Sequence, residues 1–189
     1  MNATIRTALT IQPQETPQAP TLADLIPPRA RALGCIDFES YCDLIDREAN
    51  VDLSGVALVR ASRFRIMRRP RAYFDRRTDT HCLSICINDN RTMFAKVDAV
   101  DWVAMQEAGC NGHWLSAIDE DGGTSVVTRL SANPADARTV LNVAGVIMGR
   151  DLLPDQRPGF LDGDRLNMCR HNMVAMAVTK PSSRLRRAR

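Results

Sequence analysis

Lysine is almost absent from this chain. Only Lys96 and Lys180 are lysines among 25 basic residues, and the remainder are arginines. The planar fork of an arginine suits phosphate and guanine better than a lysine ammonium does. Codon bias in a GC-rich genome gives the same composition, so both explanations stay open. The net charge of +3 is too small to indicate a nucleic-acid partner on its own.

Long apolar runs are also lacking. No stretch approaches the ~18–20 apolar residues that a membrane span needs. The first residues, MNATIRTALTIQPQ, contain no long apolar segment followed by a small-residue cleavage site, so they do not resemble a secretory signal. We therefore expect a cytoplasmic protein without a membrane partner.

The six cysteines include no C-x-x-C pair. On a strand, Cys82 and Cys86 would share a face but lie about 13 Å apart, which is too far for one tetrahedral zinc ion. We expect reduced thiols that pack as small apolar side chains, and neither a metal nor another cofactor. The cysteines are Cys35, Cys42, Cys82, Cys86, Cys110 and Cys169.

The composition changes along the chain. Residues 1–22 are rich in Pro, Gln and Thr and predict a flexible arm. Residues 23–80 predict a small helical or mixed region that is arginine-rich at its end, residues 81–180 a second domain, and residues 181–189 a basic tail. Aromatic residues make up only 5% of the chain, so the core must depend on aliphatic side chains.

The N-terminal region gives one clear helix and one ambiguous stretch. Apolar positions recur at helical spacing from Phe38 to Arg47, and Asp37 is placed to cap that helix. The stretch from Val51 to Phe74 fits either a strand or a helix. Aromatic residues interleave with eight arginines between residues 60 and 77, which is typical of a phosphate-tracking surface with stacking rings. A solvated face beside core aromatics explains the same pattern equally well.

Residues 81–130 alternate as short strands and turns. Leu83, Ile85 and Ile87 indicate one strand, and Met93–Val97 a second strand. Asp98 would then cap a helix over Ala99–Ala108, with Asp101 as part of a capping box and Gly109 as its end. Two further strands, His113–Ile118 and Thr124–Leu130, are predicted to form a hairpin.

Two more helices are predicted after residue 130. Asn133 and Pro134 favour a helix start, the apolar positions Leu141, Ala144, Ile147 and Met148 form its buried stripe, and Gly149 ends it. A loop follows over Asp151–Gly163, and a last helix over Leu166–Val178. The predicted fold class is α+β, with short antiparallel strands and a hairpin plus helices.

Three stretches together resemble the HNH endonucleases of phages and mobile introns. They are ICINDNRTMFAKVDAVDWVAM (85–105), TVLNVAGVIMG (139–149) and RPGFLDGDRLNMCRHNMV (157–174). The family pattern has a turn, a strand that ends in Val-Asp, and a helix with an early aromatic residue, which Val97, Asp98 and Trp102 match. The resemblance implies a ββα-metal fold for residues 81–180.

The catalytic positions depart from the family pattern. Where the family has an Asp-His pair, which holds a divalent metal and deprotonates the attacking water, this chain has Gly159 and Phe160. The His-Arg pair of the middle helix is replaced by Val143 and Ala144, whereas Asn172 is kept. The resemblance therefore implies a degenerate HNH-like domain without an intact metal site and without catalytic residues.

We expect a DNA-binding protein of phage or mobile-element origin that does not cut its double-stranded DNA partner. The alternative is a protein-interaction, assembly or inhibitor module that reuses the scaffold, and this alternative gains if the arginines scatter. An active nuclease rebuilt on Asp162 and Asp164 is a third hypothesis. The predicted DNA contacts are Arg60, Arg63, Arg65, Arg68, Arg69, Arg71, Arg76, Arg77, Arg170, Asn172, Arg184, Arg186 and Arg187.

Overall fold

A computed structural model describes residues 20–48, 69–110, 114–119, 121–129, 140–149 and 151–178. These residues confirm the α+β class: small antiparallel sheets combine with short helices. In chain order the elements are α1 Pro28–Ala32, α2 Phe38–Glu48, β1 Arg71–Asp75, β2 Thr80–Cys86, β3 Phe94–Asp98, α3 Ala99–Glu107, β4 Leu115–Ile118, β5 Thr124–Arg129, β6 Val140–Asn142, α4 Val143–Met148, β7 Gln156–Phe160, a 3-10 turn Arg170–Asn172 and β8 Met173–Ala177.

The strands form three sheets within the described residues. Their orders are β1-β2-β3, β4-β5-β6 and β7-β8, and every pairing is antiparallel. The first sheet has an additional neighbour, because Asn167 forms a parallel bridge with Lys96. The C-terminal part of the chain therefore returns to the edge of the first sheet.

Helix α2 confirms the prediction from apolar spacing. The Asp37 carboxylate accepts a hydrogen bond from the backbone N–H of Ser40 at 2.7 Å and so caps the helix. The predicted apolar positions Phe38, Tyr41 and Ile45 are all buried.

The strand alternation in β2 and β3 is also confirmed. Leu83 and Ile85 are buried beside Val97 and Ala95, their partners across the two strands. Helix α3 follows directly and ends, as predicted, just before Gly109, whose φ of 83° is open to glycine but unfavourable for other residues.

One buried cluster joins both halves of the chain. The Trp102 ring lies 5.5 Å from the Phe38 ring and 6.1 Å from the Tyr41 ring, so three of the few aromatic side chains connect α2 to α3. The same core extends from Ala30 to Met173. The predicted domain boundary between residues 80 and 81 falls inside strand β2, and the division into domains stays a prediction.

The prediction of a last helix over Leu166–Val178 is wrong. Met173–Ala177 form strand β8, which pairs with β7 inside the stretch that was predicted as the Asp151–Gly163 loop. A short apolar run is compatible with the periodicity of a helix or of a strand. Here the pairing with β7, outside the local run, decides for the strand. Pro158 is tolerated in β7 because a two-stranded sheet has only edge strands.

The helix near residue 145 is shorter than predicted. It begins at Val143, and the cap is Asn142, whose side chain accepts a hydrogen bond from the Gly145 N–H at 3.0 Å. Leu141 lies in strand β6 and is not part of a helical stripe. The expected cap Asn133, together with His113 and Leu130 of the predicted hairpin, lies outside the described residues.

Asp98 does not cap α3 with its side chain. Its carboxylate instead accepts hydrogen bonds from the Arg170 backbone N–H at 2.8 Å and from the Cys82 thiol at 3.6 Å. Asp101, expected in a capping box, accepts hydrogen bonds from Nε and Nη2 of Arg170 at 2.7–3.0 Å. Both acidic groups therefore hold the C-terminal part of the chain against α3.

Hydrogen bonds to the Glu107 side chain connect helices α1, α2 and α3. Its carboxylate accepts hydrogen bonds from the Tyr41 hydroxyl and from the Arg29 guanidinium, both at 2.9 Å. The hydrogen bond from Arg29, more than any other contact, lowers the pKa of Glu107 from its ordinary value of 4.5. Helices α1, α2 and α3 each contribute one of these side chains.

Replacing Glu107 with Gln is expected to lower the free energy of unfolding at neutral pH by about 1–2 kcal/mol, because two charge-assisted hydrogen bonds weaken. The folded state lowers the pKa of Glu107, so its contribution is complete above pH 4.5 and is lost as the pH falls through the folded-state pKa. Urea unfolding of both proteins should show a difference that shrinks in acid. The control is Glu48→Gln, which removes only an exposed ion pair with Arg29. An equal loss of unfolding free energy in both variants would show that the hydrogen bonds of Glu107 do not stabilise the contact between these helices.

Candidate functional site

The stretch from Leu161 to Asn172 folds around the amide of Asn172. This residue is buried, and its side-chain oxygen accepts a hydrogen bond from the Asp162 N–H at 3.0 Å. Its nitrogen donates to the Asp162 carboxylate at 2.9 Å and to the Asn167 carbonyl at 2.7 Å. Both amide hydrogens are used inside the loop, so Asn172 has no donor left for the DNA contact predicted for it.

The loop carboxylates are used in a similar way. Asp162 accepts hydrogen bonds from the Asn167 amide at 2.7 Å and from the Asp164 N–H at 2.8 Å, and Asp164 accepts one from the Leu166 N–H at 3.0 Å. The hydrogen bond from Asn167 is the main cause of the lowered pKa of Asp162. These carboxylates order a turn through Gly163, where φ is 76°. That role leaves little support for a nuclease rebuilt on Asp162 and Asp164.

Gly159 and Phe160 stand on β7 where the HNH pattern has its Asp-His pair. A Cβ atom added to Gly159 would collide with the side chain of Met176 and approach that of Val174 to 3.3 Å. Methionine and valine therefore occupy the space that an aspartate side chain would enter. Neither position carries a group that binds a metal or accepts a proton.

Strand β7 forms one wall of a cleft of about 870 Å³. The opposite walls come from the β4–β5 hairpin and from the start of α4. The lining includes Asp119, Asp121, Asn142, Arg157, Phe160 and Met176.

Arg165 holds the acidic residues of this cleft. Its guanidinium donates hydrogen bonds to Asp119 and to Asp121, each at 2.9 Å. The Ser125 hydroxyl donates to the other oxygen of Asp119 at 2.7 Å. The hydrogen bond from Arg165 holds the pKa of Asp121 far below its ordinary value. Both carboxylates are thus held by hydrogen bonds from neighbouring side chains, and no histidine is among the described residues that line the cleft.

The predicted arginine contacts separate into two groups. Arg69 forms ion pairs with Glu39 and Asp43, and Arg170 forms ion pairs with Asp101 and Asp151. Arg71 is exposed on β1, as are Arg76 and Arg77 in the turn that follows, and none of these three forms an ion pair within the described ranges. The remaining predicted contacts, Arg60, Arg63, Arg65, Arg68, Arg184, Arg186 and Arg187, lie outside the described residues.

Arg71 lies on the outer face of the first sheet, which we call the open face. The strand register places Arg71, Ser84 and Lys96 in one row across β1, β2 and β3. Tyr73 and Phe94 lie on the same face and are 38% and 37% exposed, respectively. The open face thus combines two solvated cations with two accessible aromatic rings. Sequence reasoning identified Arg71 but not Lys96 or Phe94, whose role depends on the register of β3.

A buried cluster lies on the same side of the first sheet, because Tyr73, Cys82 and Asp98 form one row of the strand register. It brings the Cys82 and Cys169 thiols within reach of the Asp98 carboxylate. A hydrogen bond from Cys169 is the main cause of the lowered pKa of Cys82, and the same contact with Cys82 raises the pKa of Cys169. All six cysteines are buried, as predicted. Sequence patterns do not predict this cluster, because Cys169 is distant from both partners along the chain.

The comparisons give no relative for this chain: no family model, curated protein or solved structure matches it. None of the helices in the described ranges has the length and apolar character needed to cross a membrane. The chemistry of the open face and of the cleft is therefore argued from their own residues.

Replacing Asn172 with Ala is expected to lower the free energy of unfolding by about 2–3 kcal/mol, because the Asp162 N–H and the Asn167 carbonyl lose their partner in a buried loop. Chemical unfolding followed by circular dichroism measures this loss. The matched control is His171→Ala, which changes the exposed neighbouring side chain and should stay within about 0.5 kcal/mol of wild type. A small loss for Asn172→Ala, equal to that of the control, would show that the amide does not order the loop.

Proposed function

We propose that this protein binds double-stranded DNA through its open face and does not cut it. The observation that carries the proposal is the pairing of Arg71 and Lys96 with the exposed rings of Tyr73 and Phe94 on one side of a small sheet. Cations neutralise phosphates and release counterions, while aromatic rings pack against sugars and the exposed edges of bases.

The dimensions of the open face suit a duplex. Three strands spaced about 4.8 Å apart span roughly 10 Å, whereas the major groove of B-DNA is about 12 Å wide and admits a helix or a two-stranded ribbon, so this face would contact the phosphates that border a groove. Arg76 and Arg77 extend the basic surface beyond the end of β1. Asp75 opposes them in part, since its carboxylate accepts a hydrogen bond from the Arg77 backbone N–H at 2.9 Å. Phosphate contacts dominate this arrangement, so we expect little sequence preference.

The absence of cleavage follows from β7. Gly159 and Phe160 supply neither a metal ligand nor a base, and the carboxylates of the neighbouring cleft are held by Arg165. A degenerate HNH origin, in a phage or mobile element, belongs to the same proposal. It is supported by an antiparallel strand pair, β7 and β8, that encloses the matched loop. The helix expected over Leu166–Val178 is replaced there by β8, which departs from the expected pattern.

A protein-binding module is the second candidate function, and the cleft favours it. Phe160 is only partly buried there and Met176 is 47% exposed, so the cleft offers apolar surface to a partner. Three arginines, Arg69, Arg165 and Arg170, are engaged in internal ion pairs, which reduces the positive surface available to DNA.

The double variant Arg71→Ala/Lys96→Ala is expected to weaken duplex binding and to reduce its salt dependence. Each phosphate contact contributes a slope of about −0.9 to the plot of log affinity against log salt, so loss of two contacts should lower the slope by about two. Fluorescence anisotropy of a labelled duplex across a salt series measures both effects.

Arg157→Ala is the matched control, because it removes an exposed cation of the cleft and leaves the open face intact. Its affinity and salt slope should remain close to those of wild type. If Arg157→Ala weakens binding and the double variant does not, DNA lies in the cleft. If the wild-type protein fails to bind at low salt, the protein-binding candidate replaces the DNA proposal.

The wild-type protein is expected to leave a labelled duplex intact with Mg²⁺ or Mn²⁺ present, because no metal-activated water can form at Gly159 and Phe160. A denaturing gel of the binding reactions shows the result. If strands are cut, the double variant Asp162→Asn/Asp164→Asn tests whether the loop carboxylates are responsible. Cleavage that this variant abolishes would contradict the proposal and would locate a rebuilt metal site in the loop.

A further inference from the structure

The buried cluster of Cys82, Asp98 and Cys169 has the dimensions of a metal site. Two sulfurs bound about 2.3 Å from a tetrahedral zinc ion lie ~3.8 Å apart, and a sulfur and a carboxylate oxygen lie ~3.5 Å apart. The two sulfurs here are 3.9 Å apart, and the Cys82 sulfur is 3.6 Å from the Asp98 carboxylate. All three ligand atoms lie within 4.8 Å of one another.

The three ligands are held by different parts of the fold. Cys82 and Asp98 are paired across β2 and β3, so the register of the sheet fixes their side chains on one face. Cys169 arrives from the stretch that follows the bridge between Asn167 and Lys96. The cluster is therefore preformed by tertiary structure, which lowers the cost of ordering it around an ion.

Asp98 is oriented from outside the cluster. One carboxylate oxygen faces Cys82, and the other accepts the Arg170 backbone N–H at 2.8 Å. An outer hydrogen bond of this kind fixes a ligating carboxylate. It also offsets part of the negative charge that two thiolates and a carboxylate bring to a divalent ion.

We propose that Cys82, Cys169 and Asp98 bind a zinc ion. Two thiolates and a carboxylate suit zinc, whereas Cu(I) favours sulfur alone and Mg²⁺ or Ca²⁺ favours oxygen alone. The three ligands leave a fourth tetrahedral position for a water molecule, and the Thr80 hydroxyl lies 3.7 Å from the Cys82 sulfur. The ion joins the first sheet to the C-terminal part of the chain and so has a structural role.

The site is distinct from the family's catalytic positions. Gly159 and Phe160 lie on β7, whereas the proposed ligands lie on β2, at the end of β3 and before the 3-10 turn. Zinc binding neither requires nor excludes DNA binding, so the two proposals succeed or fail separately.

The test is a titration of the reduced, chelator-stripped full chain with Co(II) under anaerobic conditions. We expect one equivalent to give thiolate-to-cobalt charge-transfer absorption and the visible bands of tetrahedral cobalt, both removed by added Zn²⁺. Cys82→Ser and Cys169→Ser should lose these bands, and Asp98→Asn should weaken binding by on the order of tenfold or more.

Cys86→Ser is the matched control, because Cys86 is a buried cysteine on the same face of β2 but outside the cluster. It should keep the full cobalt spectrum. X-ray absorption of the zinc-loaded wild-type protein gives a second readout that does not depend on the folding of any variant, with two sulfur ligands expected. Absence of stoichiometric binding, a zinc shell without sulfur, or a Cys82–Cys169 disulfide in the anaerobically prepared protein would each overturn the proposal.

Discussion

The return of residues 166–170 to the edge of β3 is the constraint on which the rest of the structure depends. The Lys96 N–H donates to the Leu166 carbonyl at 2.7 Å, and the Met168 N–H donates to the Lys96 carbonyl at 2.8 Å. The next contacts are the Arg170 backbone with Asp98 and the Arg170 guanidinium with Asp101. This short pairing joins the first sheet to the β7–β8 sheet and makes one core of residues that are distant in sequence.

Three functional properties follow from that contact. It pairs the half-exposed guanidinium of Arg170 with Asp101 and Asp151, so this arginine supports the fold. It brings Cys169 to Cys82 and thereby creates the proposed zinc site. It also leaves the side chain of Lys96 exposed while the backbone is paired, which keeps this cation beside Arg71 on the open face. The proposed binding surface and the proposed metal site thus both depend on one tertiary contact.

Sequence patterns predicted the elements that depend on local chemistry. The capped helix α2, the strands β2 and β3 and the end of α3 at Gly109 follow from apolar spacing, an Asp cap and a glycine. The prediction of a last helix is wrong because Met173–Ala177 pair with β7, and local apolar spacing does not reveal such a partner strand. Asn172 and Arg170 were predicted as DNA contacts from their residue types, whereas their tertiary hydrogen bonds make them structural. The strand register was needed to place Lys96 and Phe94 on the open face and to find the cysteine cluster.

We propose that DNA lies on the open face and away from Gly159 and Phe160. Photocrosslinking to a duplex that contains bromodeoxyuridine, followed by mass spectrometry of the linked peptides, tests it most directly, because aromatic side chains in contact with bases crosslink efficiently. The account predicts crosslinks at Tyr73 or Phe94, the exposed rings of β1 and β3. Crosslinks confined to Phe160 and its neighbours on β7 would contradict it and would assign DNA to the cleft.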